Sequence, residues 1–145
     1  MPHADNSAEQ IDALLRQVRS IAVVGASADP SKASYEVMDY LINHGYEVVA
    51  VNPVTEHTHI LGVPVFKTLA DIPHPIDMVD VFRPKAELHS VAEQAIAINA
   101  KVLWGQLDIV DEDAAEFARS KGLEVVMDRC PKIELERSNV LPSKS

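Results

Sequence analysis

The stretch IAVVGASADPSKASYEVMDYL, residues 21–41, constrains the fold more than any other part of the chain. It begins with IAVVGA, a continuous apolar run of strand length. It then passes through a turn of small residues into a segment with Val37, Met38 and Leu41 on one helical face. A strand that is apolar throughout needs cover on both faces, which a parallel sheet between layers of helices provides. The stretch therefore predicts a parallel strand–turn–helix unit.

The same alternation of strand and helix patterns continues along the chain. Four further apolar runs of strand length follow, at residues 46–52, 76–82, 100–104 and 123–127. Amphipathic segments accompany them, over residues 7–19, from Pro84 onward and over residues 111–120. With right-handed crossovers, the pattern predicts an α/β fold: a doubly wound, parallel, five-stranded, Rossmann-like sheet with its five strands in the spatial order 3-2-1-4-5.

Size and charge limit the classes of partner. A length of 145 residues suits one domain, which we expect over residues 1–137, followed by a flexible polar tail over residues 138–145. The net charge of −9, with 22 acidic against 13 basic residues, disfavours nucleic acid and anionic membrane surfaces. A small anionic ligand remains compatible with that charge wherever a few basic residues converge.

The sequence also indicates a compartment. No window approaches the roughly 18 consecutive apolar residues of a membrane span. The first ten residues lack the basic start and the apolar run of a secretory signal. The single cysteine, Cys130, cannot form an internal disulfide. We therefore expect a cytoplasmic protein.

Ligands of doubly wound sheets bind at the carboxyl ends of the strands, which we expect here beside the switch between the first and fourth strands. The first of these ends carries small, polar and basic residues ahead of a helix: Gly25, Ala26, Ser27, Lys32 and Ser34. Backbone N–H groups and the helix dipole at such a place favour a phosphate. The structural alternative is that Ser34 caps the helix and Ser27 tightens the turn.

This turn departs from the fingerprint of NAD-binding enzymes. Ser27 and Pro30 stand where the pattern G-x-G-x-x-G requires its second and third glycines. Asn52, within the triplet VNP, ends the second strand where an NAD site carries an acid for the ribose hydroxyls. A neutral amide does not repel a ribose that bears its own phosphate, although Asn52 and Pro53 also suit a simple turn.

The remaining strand ends supply further candidate ligand residues. Arg83 follows the third strand, where an adenine or a phosphate would pass, and Gln106 follows the fourth, within reach of a ligand amide. Arg129 and Lys132 follow the fifth strand and either neutralise ligand phosphates or pair with neighbouring acids. Cys130 is either a packed thiol or, beside Arg129, a reactive one.

Neither a catalytic nor a metal site stands out. His57 and His59 form an H-x-H pair in a polar loop without a third ligand at fixed spacing. No candidate base is paired with a nucleophile. We therefore predict neither catalytic nor metal-binding residues.

Five motifs in order at these strand ends carry a family resemblance. They are G-A-S-x-x-P-x-K-x-S (25–34), V-N-P (51–53), I-L-G-x-P-V (60–65), V-D-V-F-R (79–83) and M-D-R-C-x-K-x-E (127–134). Over about residues 10–137 the chain resembles the stand-alone coenzyme A-binding proteins of bacteria. These are Rossmann-type proteins similar to the coenzyme A-binding domain of succinyl-CoA synthetase α-subunits. The segment W-G-Q-L-D (104–108) departs from the W-M-Q-x-G type of its relatives through Gly105 and Asp108.

The resemblance implies a ligand and its contacts. It implies that phosphates and ribose are contacted by Gly25, Ala26, Ser27, Lys32, Asn52 and Pro53. The leading hypothesis is non-catalytic binding of coenzyme A or an acyl-CoA. One alternative is an enzyme, either an NADP-linked oxidoreductase or an acyl-CoA transferase component. The second is a ligand-independent interaction subunit, and a protein partner or homo-oligomer stays open in each case.

Overall fold

The computed structural model describes residues 7–143, which form five α-helices and one seven-stranded sheet. The helices are α1 (Ala8–Gln17), α2 (Ala33–Asn43), α3 (Leu88–Ala97), α4 (Glu112–Ser120) and α5 (Pro131–Ser138). The strands are β1 (Ser20–Val24), β2 (Glu47–Val51), β3 (His59–Ile60), β4 (Val63–Phe66), β5 (Met78–Val81), β6 (Val102–Gly105) and β7 (Glu124–Val126). Two 3₁₀ turns, Leu69–Asp71 and Lys85–Glu87, precede β5 and α3. None of the helices in the described part is long and apolar enough to cross a membrane.

The predicted doubly wound α/β fold is confirmed, with two strands more than predicted. The sheet order is β3-β4-β2-β1-β5-β6-β7, and every pairing is parallel except β3 with β4. The added pair is a hairpin whose turn uses two positive φ values, at Leu61 and Gly62. Its strand β4 reads as a loop in the sequence because it is short, contains Pro64 and lies half-buried near the sheet edge.

The predicted strand order 3-2-1-4-5 is wrong for the strands it named. The run at residues 76–82 contains β5, which pairs with β1 from Ile21–Met78 to Val24–Val81. The place beside β2 belongs to β4, through the pair Val51–Phe66. The switch point therefore lies between β1 and β5, whereas the prediction placed it between β1 and the strand that is now β6.

Two apolar cores sandwich the sheet. On one face α1, α2 and α5 pack against side chains that include Ile21, Val23 and Trp104. On the other face α3 and α4 pack against side chains that include Val79 and Leu103. Helix α1 begins at a capping box, in which Ser7 Oγ accepts from the Gln10 N–H and Gln10 Oε1 accepts from the Ser7 N–H.

The last helix was not predicted as a helix. It begins with Pro131 in its first turn, where proline is favoured, and ends at Asn139, which has φ 55°. Residues beyond it contact the body of the fold. The side chain of Val140 is buried, its carbonyl oxygen lies 2.6 Å from His44 Nε2, and the Ser143 N–H donates to the Val18 carbonyl. Flexibility of residues 138–145 stays a prediction, and residues 144–145 lie outside the described part.

One buried carboxyl group interrupts the apolar sheet. Asp80 lies in the middle of β5 between Val23 and Trp104, with no exposed surface. Neither of its oxygens has a hydrogen-bond partner within residues 7–143. Burial without a partner raises the pKa of Asp80 well above its ordinary value, because the charged form loses its hydration.

Candidate functional site

A cavity of about 720 Å³ opens at the carboxyl ends of β1, β2 and β5. Its position matches the switch point of the sheet, where open α/β folds bind ligands. The predicted site residues that line it are Gly25, Ala26, Ser27, Lys32, Ser34, Asn52, Pro53 and Arg83. Eight of the predicted residues therefore line one cavity. The volume of this cavity is within the range of small-molecule sites, about 300–1,000 Å³.

The turn after β1 is held to β2 through its backbone. The N–H groups of Gly25 and Ala26 both donate to the Val51 carbonyl oxygen, at 3.0 and 3.3 Å. Gly25 has φ +90°, a conformation that favours glycine. These two N–H groups are therefore used inside the protein, and a ligand anion must find its backbone donors further along the turn.

Those donors lie at the start of α2. The helix begins at Ala33, and Lys32 is its N-cap without a side-chain capping bond. The interpretation of Ser34 as the cap is therefore wrong; Ser34 is the second helical residue and is buried in the cavity wall. Because first-turn N–H groups have no intrahelical acceptor, those of Ala33 and Ser34 are available to an anion.

Asp29 and Ser27 shape the loop between β1 and α2. Asp29 Oδ1 accepts from both the backbone N–H and the hydroxyl of Ser31, at 2.9 and 2.8 Å. These hydrogen bonds, and to a smaller extent the charge of Lys32, lower the pKa of Asp29. Ser27 Oγ accepts from the Asp29 N–H at 3.1 Å, so the turn-tightening interpretation of Ser27 is confirmed. The Ser27 hydroxyl can still donate its hydrogen to an acceptor atom of a ligand.

Asn52 spans the first and second strand ends. Its Nδ2 donates to the Ala26 carbonyl at 2.8 Å, and its Oδ1 accepts from the N–H groups of Val54 and Thr55, at 2.9 and 3.1 Å. The amide therefore fixes the turn at residues 52–55 and joins it to the glycine turn. Contact between Asn52 and a ribose stays a prediction, with one amide hydrogen left for it.

Three cationic side chains line the cavity. Lys32, Lys67 and Arg83 come from three separate loops, after β1, β4 and β5, and all three are exposed. Arg83 also makes a two-bonded ion pair with Glu87, which lines the cavity as well. Lys67 was not among the predicted residues, because no strand was predicted over residues 63–66; recognising VPVF as a strand would have placed Lys67 at a carboxyl end.

The remaining walls are mixed in character. Four apolar residues line the cavity, namely Val24, Val51, Phe82 and Val91. Three polar residues that the sequence analysis did not find also line it: Thr68 after β4, and Ser90 and Gln94 on α3. Such a lining suits a ligand with apolar surface and a few anionic groups.

The other three predicted residues lie outside this cavity. Gln106 is buried after β6, and its Oε1 has no hydrogen-bond partner in the described part of the chain. Arg129 follows β7, and its carbonyl accepts from Trp104 Nε1 at 2.8 Å. Lys132 lies on α5 and lines a separate shallow groove with Tyr35 and Asp39 of α2. The corrected strand order explains this, because β6 and β7 lie beyond β5 and away from the switch point.

The departures in the segment WGQLD have local structural causes. A Cβ atom built onto Gly105 would lie 2.9 Å from the Ile109 carbonyl oxygen, so a side chain there needs a different path for residues 105–109. Asp108 has φ +66°, a conformation that glycine adopts readily and aspartate tolerates. Cys130, the N-cap of α5, is buried, which favours the packed-thiol interpretation.

Comparison with known proteins agrees with this architecture. A family model described as "CoA binding domain" matches residues 19–136. The uncharacterized protein YneT of Bacillus subtilis (strain 168) is 38% identical over 127 residues, covering 88% of this chain and 93% of that protein. A hypothetical protein from Pyrococcus horikoshii OT3 has a solved structure with a TM-score of 0.87 and 36% identity, covering 94% of this chain and 95% of the other.

A larger enzyme subunit contains a similar segment. The alpha subunit of acetate–CoA ligase [ADP-forming] I of Pyrococcus furiosus is 31% identical over 122 residues. The match covers 74% of this chain but only 26% of the subunit. The similarity therefore concerns one part of the ligase subunit and leaves most of its length unmatched.

Proposed function

This chain belongs to the family of CoA binding domains, and we propose that it binds coenzyme A or an acyl-CoA in the cavity between β1, β2 and β5, without chemistry of its own. One observation carries the proposal. The cavity brings Lys32, Lys67 and Arg83 together at the strand ends, with an amide, Asn52, where an NAD site needs an acid.

The start of α2 suits the diphosphate of such a ligand. The N–H groups of Ala33 and Ser34 have no intrahelical acceptors, and the positive end of the helix dipole lies there. Lys32 adds a full positive charge at the same place, and Ser27 adds a hydroxyl donor. These groups match the donor set that a phosphate needs, so the residues present fit the ligand.

The second strand end suits the ribose side of the ligand. Lys67 and Thr68 follow β4, which pairs with β2 through Val51–Phe66, and the Asn52 N–H donates to the Phe66 carbonyl. Lys67 therefore lies next to the place where an NAD-binding protein would hold ribose hydroxyls with an acid. A lysine beside a neutral amide favours a ribose that carries a phosphate, which coenzyme A has and NAD lacks.

The enzymatic alternatives have less support. An NADP-linked oxidoreductase shares the preference for a phosphorylated ribose, but needs residues for a second substrate that the cavity walls do not supply. The ligase subunit that the chain resembles is about four times as long as the matched segment, so its activity is not transferred here. A ligand-independent interaction subunit would not need three cations lining one cavity.

The wider setting follows from the proposed ligand. We propose a cytoplasmic protein whose partner is a small nucleotide, with neither nucleic acid nor a membrane as a binding surface, because the net charge of −9 opposes both. Gln106, Arg129 and Lys132 lie outside the cavity. We propose that they contact the ligand through its long pantetheine arm.

Calorimetric titration of Lys32→Ala with coenzyme A tests the proposal. Removing a charge-assisted contact of about 1.5–3 kcal/mol weakens binding by roughly tenfold or more. The matched control is Lys121→Ala, which removes an equally exposed lysine at the far end of α4. If both variants bind coenzyme A as tightly as the parent, and their circular dichroism spectra show an intact fold, the first turn of α2 is not part of the binding site.

A further inference from the structure

Arg83 lies across the glycine turn. A Cβ atom built onto Gly25 would lie 2.9 Å from Arg83 Cδ and 3.1 Å from the Phe82 carbonyl oxygen. The aliphatic part of Arg83 therefore packs against Gly25, on the side from which a phosphate group would approach the turn. Both residues line the cavity.

The guanidinium of Arg83 is held by a carboxylate. Its Nε donates to Glu87 Oε1 at 3.2 Å and its NH2 donates to Glu87 Oε2 at 2.8 Å. This is the parallel two-bonded geometry that a guanidinium makes with a carboxylate or with a phosphate. The two side chains are about half exposed, at 47% and 45%, so water and ligands can reach the pair.

Glu87 is held in place by its backbone. It ends the 3₁₀ turn Lys85–Glu87, and its N–H donates to the Pro84 carbonyl at 2.8 Å. The next residue, Leu88, is completely buried at the start of α3. Glu87 is therefore anchored at the cavity rim, and the long side chain of Arg83 is the more adjustable partner.

We propose that Glu87 occupies the place on Arg83 that a ligand phosphate takes, so that ligand and carboxylate compete for one guanidinium. This proposal rests on the proposed function and identifies the specificity element of the same site. A doubly charged phosphate ester or a diphosphate outcompetes a carboxylate for the guanidinium, whereas a singly charged anion does not. Glu87 thus selects ligands with multiply charged phosphate groups and rejects simple carboxylates.

The competition predicts that one substitution, Glu87→Gln, raises the affinity for a phosphate ligand. Glu87→Gln removes the competing charge while keeping the size of the side chain, so Arg83 becomes available and the cavity becomes more positive. Exposed ion pairs contribute about 0.2–1 kcal/mol, so affinity for a phosphate ligand rises by a factor between about 1.4 and about 5, and the fold survives the change. A purely structural ion pair would leave ligand affinity unchanged.

The experiment is calorimetric titration with coenzyme A and, separately, with inorganic pyrophosphate. The parent, Glu87→Gln, Arg83→Gln and the double variant are compared, with Glu93→Gln as the control. Glu93 lies on α3, the helix that follows Glu87, in the corresponding i,i+4 pair with His89 and outside the cavity lining. The expected result is tighter binding of both ligands by Glu87→Gln, no gain in the Arg83→Gln background, and no change for Glu93→Gln.

The outcomes separate this proposal from the proposed function. If the parent binds coenzyme A and Glu87→Gln binds it equally or more weakly, the competition is overturned and the coenzyme A site stands. A gain for Glu87→Gln that persists without Arg83 also overturns it, since the gain then comes from general charge. If neither ligand binds the parent or Glu87→Gln, both proposals fail.

Discussion

The side-chain amide of Asn52 donates to the Ala26 carbonyl oxygen across 2.8 Å and so joins the ends of β1 and β2. Its oxygen accepts two backbone N–H groups, from Val54 and Thr55. A single side chain therefore links the two loops, in addition to the backbone hydrogen bonds from Gly25 and Ala26 to Val51. Asn52 is part of the architecture of the site whether or not it also contacts a ligand.

Asn52→Asp tests this linkage. The substituted oxygen would face the Ala26 carbonyl oxygen, so a hydrogen bond becomes a repulsion between two acceptors. We expect the free energy of unfolding to fall by about 1–3 kcal/mol in urea titrations, the usual consequence of leaving a partly buried group unpaired. Unchanged stability would show that the amide does not hold the two loops together.

How far the sequence predicts this fold depends on the length of each strand. The runs at β1, β2, β5, β6 and β7 are mainly apolar, because both faces of the sheet are covered there, and each was found. Strand β4 has four residues, of which Pro64 is exposed and the other three are half-buried. Its pattern carries too little information, and missing it misplaced the switch point by one strand.

The site was predicted where chemistry and backbone position coincide. The turn after β1 combines Gly25 with the start of a helix, and the spacing of residues in the sequence predicts both features. Lys67 and Glu87 were not predicted as candidates, because their place in the cavity lining depends on which loops converge in space. The pairing between β4 and β2 places Lys67 at the cavity, and the return of the chain into α3 places Glu87 there.

Gly25→Ala separates backbone strain from steric exclusion. The added methyl group meets Arg83 Cδ at 2.9 Å, and alanine must adopt φ +90°. We expect a loss of about 1–3 kcal/mol of stability from the strained backbone, together with loss of coenzyme A binding. The control is Gly122→Ala. Gly122 has φ +94° and nothing within 4 Å of the added Cβ atom, so this variant tests the effect of backbone strain without a steric clash. Equal coenzyme A affinity in both variants would contradict the assigned place of the turn.

Lys67→Ala examines recognition of the ribose phosphate. We expect affinity for coenzyme A to fall roughly tenfold, as for one charge-assisted contact, while affinity for dephospho-CoA changes little. Both affinities are measured by calorimetry, with Lys121→Ala as the control. An equal loss for the two ligands would place Lys67 at another part of the nucleotide.

Asp80 predicts a pH dependence of stability. Its pKa is raised in the folded protein by burial, so the folded state holds a proton that the unfolded state releases above its ordinary pKa of about 3.9. Burying the Asp80 carboxyl therefore lowers the free energy of unfolding least at low pH, and lowers it further as pH rises toward the raised pKa. Asp80→Asn cannot ionise and lacks this dependence.

Urea unfolding between about pH 5 and about pH 8 measures the effect of Asp80. The stability advantage of Asp80→Asn over the parent should widen as pH rises. Parallel stability curves for the two proteins would mean that Asp80 ionises normally, with a partner or water inside the fold.

We expect the cavity to select a nucleotide with a phosphate on its ribose over NAD. Calorimetric titration of the purified protein with coenzyme A, dephospho-CoA, NAD and NADP under one set of salt conditions measures this selectivity. Coenzyme A should bind more tightly than NAD, because Asn52 supplies no acid for a free ribose and Lys67 supplies a charge for a phosphorylated one. Binding of NAD as tight as that of coenzyme A, or tighter, would contradict it.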